Sequence, residues 1–336
     1  MELTTTYLGM SLRTPLVPSA SPLSEDLDNI KRMEDAGASA VVLPSLFEEQ
    51  LSHLQHNLYW VNDEEKKQTD PGTPFPTQSD YRMGAHEYLE YIRKSKESVS
   101  IPVIASLNGT SIGGWTEYAK QMQQAGADAL ELNIYSVPTD LFTAGSQIER
   151  TCIEIVEEVR SVITIPLAVK LSPYYSNTAN MAYRLERAGA DALVLFNRFY
   201  QPDINLTSMK VTPRILLSTP QTMRLPLRWI AILYGRVHTD LAATGGIHEA
   251  RDVAKMLMAG ASITMLCSVL LRRGIDYIRL LEGELKWWME EHHFESLEEM
   301  QGTMCQERYA DPSAFERAHY IRTLRSYKHT KPIEMA

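Results

Sequence analysis

Short apolar runs alternate along the chain with longer segments in which apolar residues recur every three to four positions. Eight of the runs are short enough for buried strands: 16–20, 39–44, 103–107, 128–133, 167–171, 191–196, 240–244 and 262–267. Because strands joined by helices run parallel, this α/β pattern predicts a closed (β/α)8 barrel, the TIM barrel. An open doubly wound sheet is the structural alternative, but no GxGxxG follows the first run.

Two recurring phrases mark where the predicted strands begin. Ala-Gly-Ala precedes four of the runs, at 36–38, 125–127, 188–190 and 259–261, and a proline precedes three others. A glycine ends a helix readily, and proline is tolerated at the first position of a strand. The helical segments between the runs include 27–34, 88–92, 118–125, 148–159 and 181–188, and a helix is predicted over His248–Met258.

Three segments fall outside the repeat. Residues 45–82 form a long insert after strand 2, typical of a lid or binding loop, and 198–221 predict a small hairpin through INLTSMKV and RILLS. Residues 292–336 contain a predicted helix starting near Pro312 that would dock on the barrel bottom or on a partner subunit through Phe315, Ala318, Tyr320, Ile321 and Leu324. We therefore predict a barrel domain, 1–291, and a C-terminal helical extension, 292–336, packed on it.

Composition and charge narrow the class of protein. The formal net charge of -9 argues against a nucleic-acid partner, and the three cysteines form no CxxC pair that would indicate a zinc or iron–sulfur site. The N-terminus lacks the pattern of a signal peptide, and no apolar run is long enough to span a membrane. We expect a cytoplasmic protein with no membrane partner, and the amphipathic tail is compatible with a homodimer.

The candidate site lies at the carboxyl ends of the predicted strands, where barrels of this kind carry their chemistry. Gly245–Gly246 and Cys267–Ser268 end neighbouring strands, each before a predicted helix, so backbone N–H groups there favour a phosphate. The other strand ends offer hydroxyls, amides and one lysine, Lys170, but no carboxylate pair and no metal-ligand cluster. This set disfavours a glycosidase or a metal hydrolase and favours a bound organic cofactor.

The strand ends also carry motifs in a fixed order: LELN with Asn133, VKLSP with Lys170, LFN with Asn197, ATGGI with Gly245–Gly246, and GASITMLCS with Ser268. In order and spacing these resemble the class 1 dihydroorotate dehydrogenases and related flavin-binding barrels over about residues 7–290. The resemblance implies an FMN-dependent oxidoreductase of pyrimidine biosynthesis that passes hydride from dihydroorotate, or a related small substrate, to flavin N5. It also implies a separate electron acceptor, which the sequence does not identify.

Carried over residue by residue, the resemblance assigns roles to the strand ends. Lys170 would lie beside flavin N1 and the C2 carbonyl and stabilise the anion formed on reduction. Asn133 and Ser106 would bond the ring edge, and Asn197 would lie near the substrate or the flavin. The remaining contacts, with the ring, the ribityl chain and the phosphate, would come from Ser19, Ala20, Ser45, Gly245, Gly246, Cys267 and Ser268.

The chain departs from the family at the base and at the substrate contacts. Ser136 falls where the family has a cysteine base, and Tyr135 is a second candidate for a proton donor. Pro44 replaces a lysine, Pro138 replaces an asparagine, and 78–82 replaces an asparagine-rich phrase. Arg82, Arg198 or His53 could supply a new contact to an anion.

Three functional interpretations stay open at this point. The first is the FMN-dependent oxidoreductase, with Ser136 and Lys170 as catalytic residues. The second is a flavin-free lyase or aldolase barrel in which Lys170 forms a Schiff base. The third is a non-catalytic FMN-binding protein, suggested by the altered base and substrate phrases. For Lys170 itself the structural interpretation is an ion pair with a carboxylate at a strand end.

Overall fold

A parallel sheet of eight strands forms the centre of the computed structural model. The structure describes residues 1–48, 50, 83–109, 111, 113, 116–198, 201–212, 216–316 and 318–326. We number the sheet strands 1 to 8 in chain order: Leu16–Pro18, Val41–Phe47, Val103–Asn108, Ala129–Asn133, Leu167–Leu171, Ala192–Leu195, Asp240–Thr244 and Ile263–Leu266. Each predicted apolar run overlaps one of these strands, although strands 2 and 3 extend beyond their runs to Phe47 and Asn108, so the strand prediction is confirmed.

The strands follow one another around a ring. Strand 1 pairs with strand 8, and the pairing then continues in descending order from strand 8 to strand 2. Strand 1 meets the segment before strand 2 where the Ser39 amide donates to the Leu16 carbonyl at 3.1 Å. The hydroxyls of Thr14 and Ser39, 2.6 Å apart, reinforce this contact. The predicted (β/α)8 barrel is thereby confirmed.

Helices cover the outside of the sheet, and all but the last of them bury apolar residues. Their bounds are Leu27–Asp35, Ala85–Ser98, Thr116–Gln124, Gly145–Val162, Thr178–Arg187, Arg224–Leu233, Ala250–Ala259, Ser268–Arg273, Tyr277–Glu291, Leu297–Met300 and Ala318–Ser326, with 3-10 turns at Pro22–Glu25, Pro220–Met223 and Pro312–Phe315. The helix predicted to start at His248 begins at Ala250 instead. The Asp252 carboxylate accepts the amides of His248 and Glu249, at 3.0 and 3.1 Å, and so caps the helix from within.

The lower barrel interior is filled by an N-terminal hairpin. Its strands, Thr5–Tyr7 and Met10–Leu12, pair antiparallel. The interior positions of strands 4 to 7 carry small residues at this level: Ala129, Ala168, Ala192 and Ala242. They leave room for Tyr7, Leu8 and Leu12, which are all buried. The amide of Leu8 donates to Oδ2 of Asp240 at 2.7 Å, which ties the hairpin to strand 7.

The three predicted insertions have different outcomes. Most of the insert after strand 2, including His53 and 78–82, lies outside the described residues. After strand 6 a hairpin pairs Asp203–Asn205 with Lys210–Thr212, so both of its strands precede RILLS rather than including it. Its turn falls at 206–209 because the Asn205 side chain accepts the amides of Thr207 and Ser208.

The C-terminal segment packs on the barrel through its first part. Leu297 and Met300 are buried, and the Gln306 amide donates to the Ala231 carbonyl at 2.8 Å. The predicted helix is divided into the turn Pro312–Phe315 and the helix Ala318–Ser326. Phe315 packs against the core cluster, but Tyr320, Ile321 and Leu324 are 63%, 59% and 56% exposed and do not dock on the barrel. Docking on a partner subunit and the domain division at 291 stay predictions.

Candidate functional site

A cavity of about 180 Å³ opens at the carboxyl ends of the barrel strands. Eight of the predicted cofactor contacts line it: Ser19, Ala20, Lys170, Asn197, Gly245, Gly246, Cys267 and Ser268. A larger cleft of about 720 Å³ lies at the opposite end of the barrel, and none of the predicted site residues lines it. The chemistry therefore concentrates in the smaller cavity.

The other three predicted contacts form a hydrogen-bonded group beside the cavity. Nδ2 of Asn133 donates to the Ser106 hydroxyl at 3.0 Å and lies 3.3 Å from that of Ser45. The two hydroxyls are 2.7 Å apart. Nδ2 of Asn197, which lines the cavity, lies 3.5 Å from Oδ1 of Asn133. Neighbouring strand ends thus place all eleven predicted contacts in one connected region.

Lys170 makes a buried ion pair with Glu131. Nζ lies 3.2 Å from Oε1 of Glu131, and the two side chains are 10% and 0% exposed. The same carboxylate oxygen lies 3.4 Å from Nδ2 of Asn133. The structural interpretation of Lys170 is therefore correct as geometry, and the same lysine also lines the cavity. Both statements hold because the long, flexible side chain of Lys170 can line the cavity wall while its ammonium pairs with Glu131.

The glycine turn after strand 7 combines a required conformation with an open surface. Gly245 and Gly246 have φ of +90° and +79°, a region that side chains with a Cβ rarely adopt. A Cβ on Gly246 would meet the Met223 backbone nitrogen at 2.4 Å, whereas one on Gly245 would meet nothing within 4 Å. Gly246 therefore serves packing, and Gly245 leaves backbone accessible to a ligand.

The helix that follows this turn offers little to an anion. The two backbone amides just before its first residue, those of His248 and Glu249, are taken by Asp252, and its N-cap residue is Glu249. Those carboxylates repel an added negative charge. The geometry does not support the part of the phosphate prediction that relied on this helix end, and the phosphate contacts that stay predictions are the glycine turn, Cys267 and Ser268.

Ser268 is oriented by a segment that the sequence reasoning did not include. The Ser218 amide donates to Oγ of Ser268 at 3.0 Å, so the Ser268 hydroxyl hydrogen can still be donated to a ligand. The Ser218 hydroxyl lies 3.3 Å from Nε2 of buried His248. Burial is the main cause that lowers the pKa of His248, followed by the positive charge of Arg272.

Cys267 lines the cavity as a thiol. Burial raises its pKa, and the charge of Lys170 opposes this with a smaller effect. A thiol with a raised pKa is a weak nucleophile at neutral pH. Cys267 is therefore suited to packing against a ligand and not to acting as a base.

Ser136 lies in the loop after strand 4, three residues beyond Asn133, and is half-buried. It does not line the described cavity, and its side chain makes no hydrogen bond with the residues that the structure describes. Its role as a base stays a prediction. Of the three proposed anion contacts, Arg198 lies within the described residues and lines the cavity.

Two residues of the site were not predicted from the residues at the strand ends. Glu131 lies two positions before Asn133, so the alternation of a strand places both side chains inside the barrel. A charged residue within the buried run ALELN was the signal available. Ser218 carried no signal, because it lies in a loop that only the fold brings to strand 8.

In the described part of the chain, no group of three or more His, Cys, Asp or Glu side chains is placed to hold a metal ion. Nor does any helix there have the length and apolar character required to cross a membrane.

Comparisons with known proteins agree with the geometry. The family model described as dihydroorotate dehydrogenase matches residues 81–289. The catalytic subunit of dihydroorotate dehydrogenase B (NAD(+)) from Thermoplasma volcanium is 27% identical over 316 residues, which cover 90% of this chain and 98% of that protein. The subunit of the same name from Halalkalibacterium halodurans is 32% identical over 171 residues, covering 48% of this chain and 55% of the relative.

Proposed function

Because the chain belongs to the dihydroorotate dehydrogenase family, we propose that it is an FMN-dependent oxidoreductase acting on a CH–CH bond. The substrate is dihydroorotate or a related small molecule, and with dihydroorotate the reaction belongs to pyrimidine biosynthesis. The observation that carries the proposal is the cavity itself, where Lys170, the glycine turn and Ser268 meet. FMN supplies the hydride acceptor, and the residues of the chain bind and orient it.

The residues present fit a flavin with a phosphate tail. Gly245 leaves backbone free, and the Ser268 hydroxyl retains a hydrogen to donate, so these two groups would hold the phosphate. Asn133 and Ser106 offer neutral donors and acceptors for the ring edge. Lys170 supplies the positive charge that stabilises electron density gained on reduction.

The same ion pair disfavours the Schiff-base interpretation. A lysine forms a Schiff base through a free Nζ, whereas Nζ of Lys170 is held 3.2 Å from the Glu131 carboxylate. Family membership points the same way. A non-catalytic flavin protein is favoured by no specific contact in the described site.

The substrate side is where this chain differs most from its family. We propose that Ser136 takes the proton and that Arg198 contributes to binding an acidic substrate, because Arg198 already lines the cavity. The relatives named above are catalytic subunits of NAD(+) enzymes. By analogy, the electrons of this chain leave to a separate acceptor.

The test is the absorption spectrum of the purified protein, followed by anaerobic addition of dihydroorotate. We expect a flavin spectrum that bleaches when the substrate is added. A Ser136→Ala variant should retain the spectrum and bleach more slowly. Colourless protein that takes up no added FMN refutes the proposal, and flavin that no dihydropyrimidine or related acid reduces would support the non-catalytic interpretation.

A further inference from the structure

Glu131 is a fully buried carboxylate in the barrel interior, and the mechanism outlined above does not use it. It is 0% exposed and lies on strand 4, two residues before Asn133. Within the described part of the chain, only Oε1 has partners, namely Lys170 and Asn133, and Oε2 is buried without a hydrogen-bond partner. A buried charge held in this way is costly to the fold.

Buried, mostly apolar side chains lie on the side of this carboxylate that faces away from the cavity. The N-terminal hairpin fills that part of the interior with Tyr7, Leu8 and Leu12. The hydroxyl of Tyr7 is also buried without a partner, and the charge of Glu131 is the second cause, after burial, that raises the pKa of Tyr7. The charge of Glu131 is therefore balanced chiefly by the Lys170 ammonium.

Stability does not explain such a pair. Replacing a buried ion pair with apolar residues of similar size is often neutral or stabilising. The neighbouring interior residues, Ala129 and Ala168, show that the same strands carry apolar side chains where only packing is required. The position of the pair, directly beneath the cavity wall, points to a role in the site.

Lysine needs such a partner if its charge is to act at one point. Its four-carbon stem is flexible, and its ammonium is a compact charge with no preferred direction of approach. We propose that Glu131 is a positioning residue that holds the Lys170 ammonium at the cavity wall and balances its charge. This inference rests on the proposed function, since the charge so placed is the one that stabilises the reduced cofactor.

The first test measures Lys170 directly, in protein freed of flavin. Reductive methylation followed by peptide mass spectrometry reports how fast each lysine reacts. In a Glu131→Gln variant Lys170 should react at least about fivefold faster, because an amino group that no longer pairs with a carboxylate is freer to move on its flexible stem and meet the reagent. An unchanged rate overturns the proposal.

The matched control breaks a different ion pair on the same stretch of chain. Asp128, just before strand 4, lies 2.7 Å from Nζ of Lys96 at the far end of the barrel. Asp128→Asn should leave the reactivity of Lys170 and the cofactor potential unchanged. If it alters either as strongly as Glu131→Gln does, the effect is a general loosening of strand 4 and the positioning role is refuted.

The second test measures the midpoint potential of the bound flavin. Glu131→Gln should shift it to more positive values, since a negative charge near the site has been removed, and Glu131→Asp should restore it toward the parent. In a Lys170→Met background the Glu131→Gln shift should be smaller, because Glu131 then has no ammonium to position beside the cofactor. Equal shifts in both backgrounds would mean that Glu131 acts on the cofactor without Lys170.

The two tests separate this inference from the proposed function. A parent protein that binds no flavin, with faster labelling of Lys170 in Glu131→Gln, refutes the function and supports the positioning role. If flavin binds and is reduced, but the labelling of Lys170 and the flavin potential are unchanged in Glu131→Gln, the proposed function is supported and the positioning role is refuted. If the Glu131→Gln variant does not fold, the Glu131→Gln/Lys170→Met double variant, which removes both charges, is compared with Lys170→Met in the measurement of the flavin potential.

Discussion

At the scale of single residues, charge placement dominates the candidate site. Lys170 is the one predicted cationic cofactor contact, and its ammonium is paired from below by Glu131 at 3.2 Å. Apart from Glu131 and Arg198, the groups described around it are neutral and include the hydroxyls of Ser45 and Ser106 and the amide of Asn133. A fixed cation among neutral dipoles acts most strongly where negative charge develops, because few mobile charges screen it.

Lys170→Ala should therefore lower the rate of flavin reduction by about a hundredfold or more and weaken flavin binding by much less. The charge matters most once the cofactor has gained electrons. Anaerobic stopped-flow reduction and a flavin titration measure the two effects. Lys120→Ala, which removes a surface lysine from a helix, is the control. A loss of affinity as large as the loss of rate would assign Lys170 to ground-state binding instead.

His248 should make the folded protein less stable as the pH is lowered. Its pKa is lowered from the ordinary 6.5, chiefly by burial, so the unfolded chain binds more protons than the folded protein as the pH falls through 6.5. The parent thus loses stability below about pH 6.5, down to the lowered pKa. His248→Gln, which keeps a polar group beside Ser218, should not show this loss.

The measurement is urea unfolding of parent and His248→Gln at pH 8 and at pH 5.5. The difference between the free energies of unfolding of the two proteins removes the contribution of the other histidines. The difference in free energy of unfolding should move in favour of the variant at the lower pH. A difference that stays constant would contradict the assignment.

At the scale of elements, two turns and one hairpin arrange the site. The Gly245–Gly246 turn is held against Met223, from a 3-10 turn that precedes helix Arg224–Leu233. Ser218 comes from the same connecting segment and orients Ser268. The N-terminal hairpin closes the barrel from the other end. The cavity is thus built from loops above and a filled interior below.

Gly246→Ala should cost at least about 2 kcal/mol of stability, because a left-handed backbone and an overpacked contact each cost roughly 1–3 kcal/mol. The added methyl would lie 2.4 Å from the Met223 nitrogen. Gly283→Ala is the matched control: the residue is exposed in a helix, and a Cβ there meets nothing within 4 Å. The control should be about 0.5–1 kcal/mol more stable than the parent.

Thermal and urea unfolding distinguish the two glycine variants. If Gly246→Ala is as stable as the parent, the backbone at this turn is not constrained as described. Flavin binding by a folded Gly246→Ala protein then reports whether the shape of the turn matters for the phosphate.

At the scale of the whole molecule, ligand binding and folding are linked. The cavity joins residues from strands 1, 5, 6, 7 and 8, so a ligand there binds only the assembled barrel. FMN at a hundredfold excess over its dissociation constant should raise the free energy of unfolding by about 2.7 kcal/mol. Riboflavin, which lacks the phosphate, should stabilise less at the same concentration.

Thermal unfolding with each ligand, and with inorganic phosphate as a further control, measures this difference. Equal stabilisation by FMN and riboflavin would remove the phosphate from the site and with it the assigned roles of Gly245 and Ser268.

The local sequence was sufficient for much of the fold. All eight barrel strands were predicted, because each is a short apolar run set off by Ala-Gly-Ala, proline or glycine. The grouping of the candidate site residues was predictable for a related reason. Strand ends in a barrel converge at one face, so counting strands placed Lys170 and the Gly245–Gly246 turn together without coordinates.

Only the tertiary structure decided how these groups act. The Glu131 partner of Lys170, the Ser218 amide on Ser268 and the Asp252 cap that occupies a helix end all join residues through contacts that no local pattern encodes. A residue's type and spacing fix its strand and face. Its partners depend on which side chains and backbone groups folding brings within about 3 Å, the distance at which hydrogen bonds and ion pairs form.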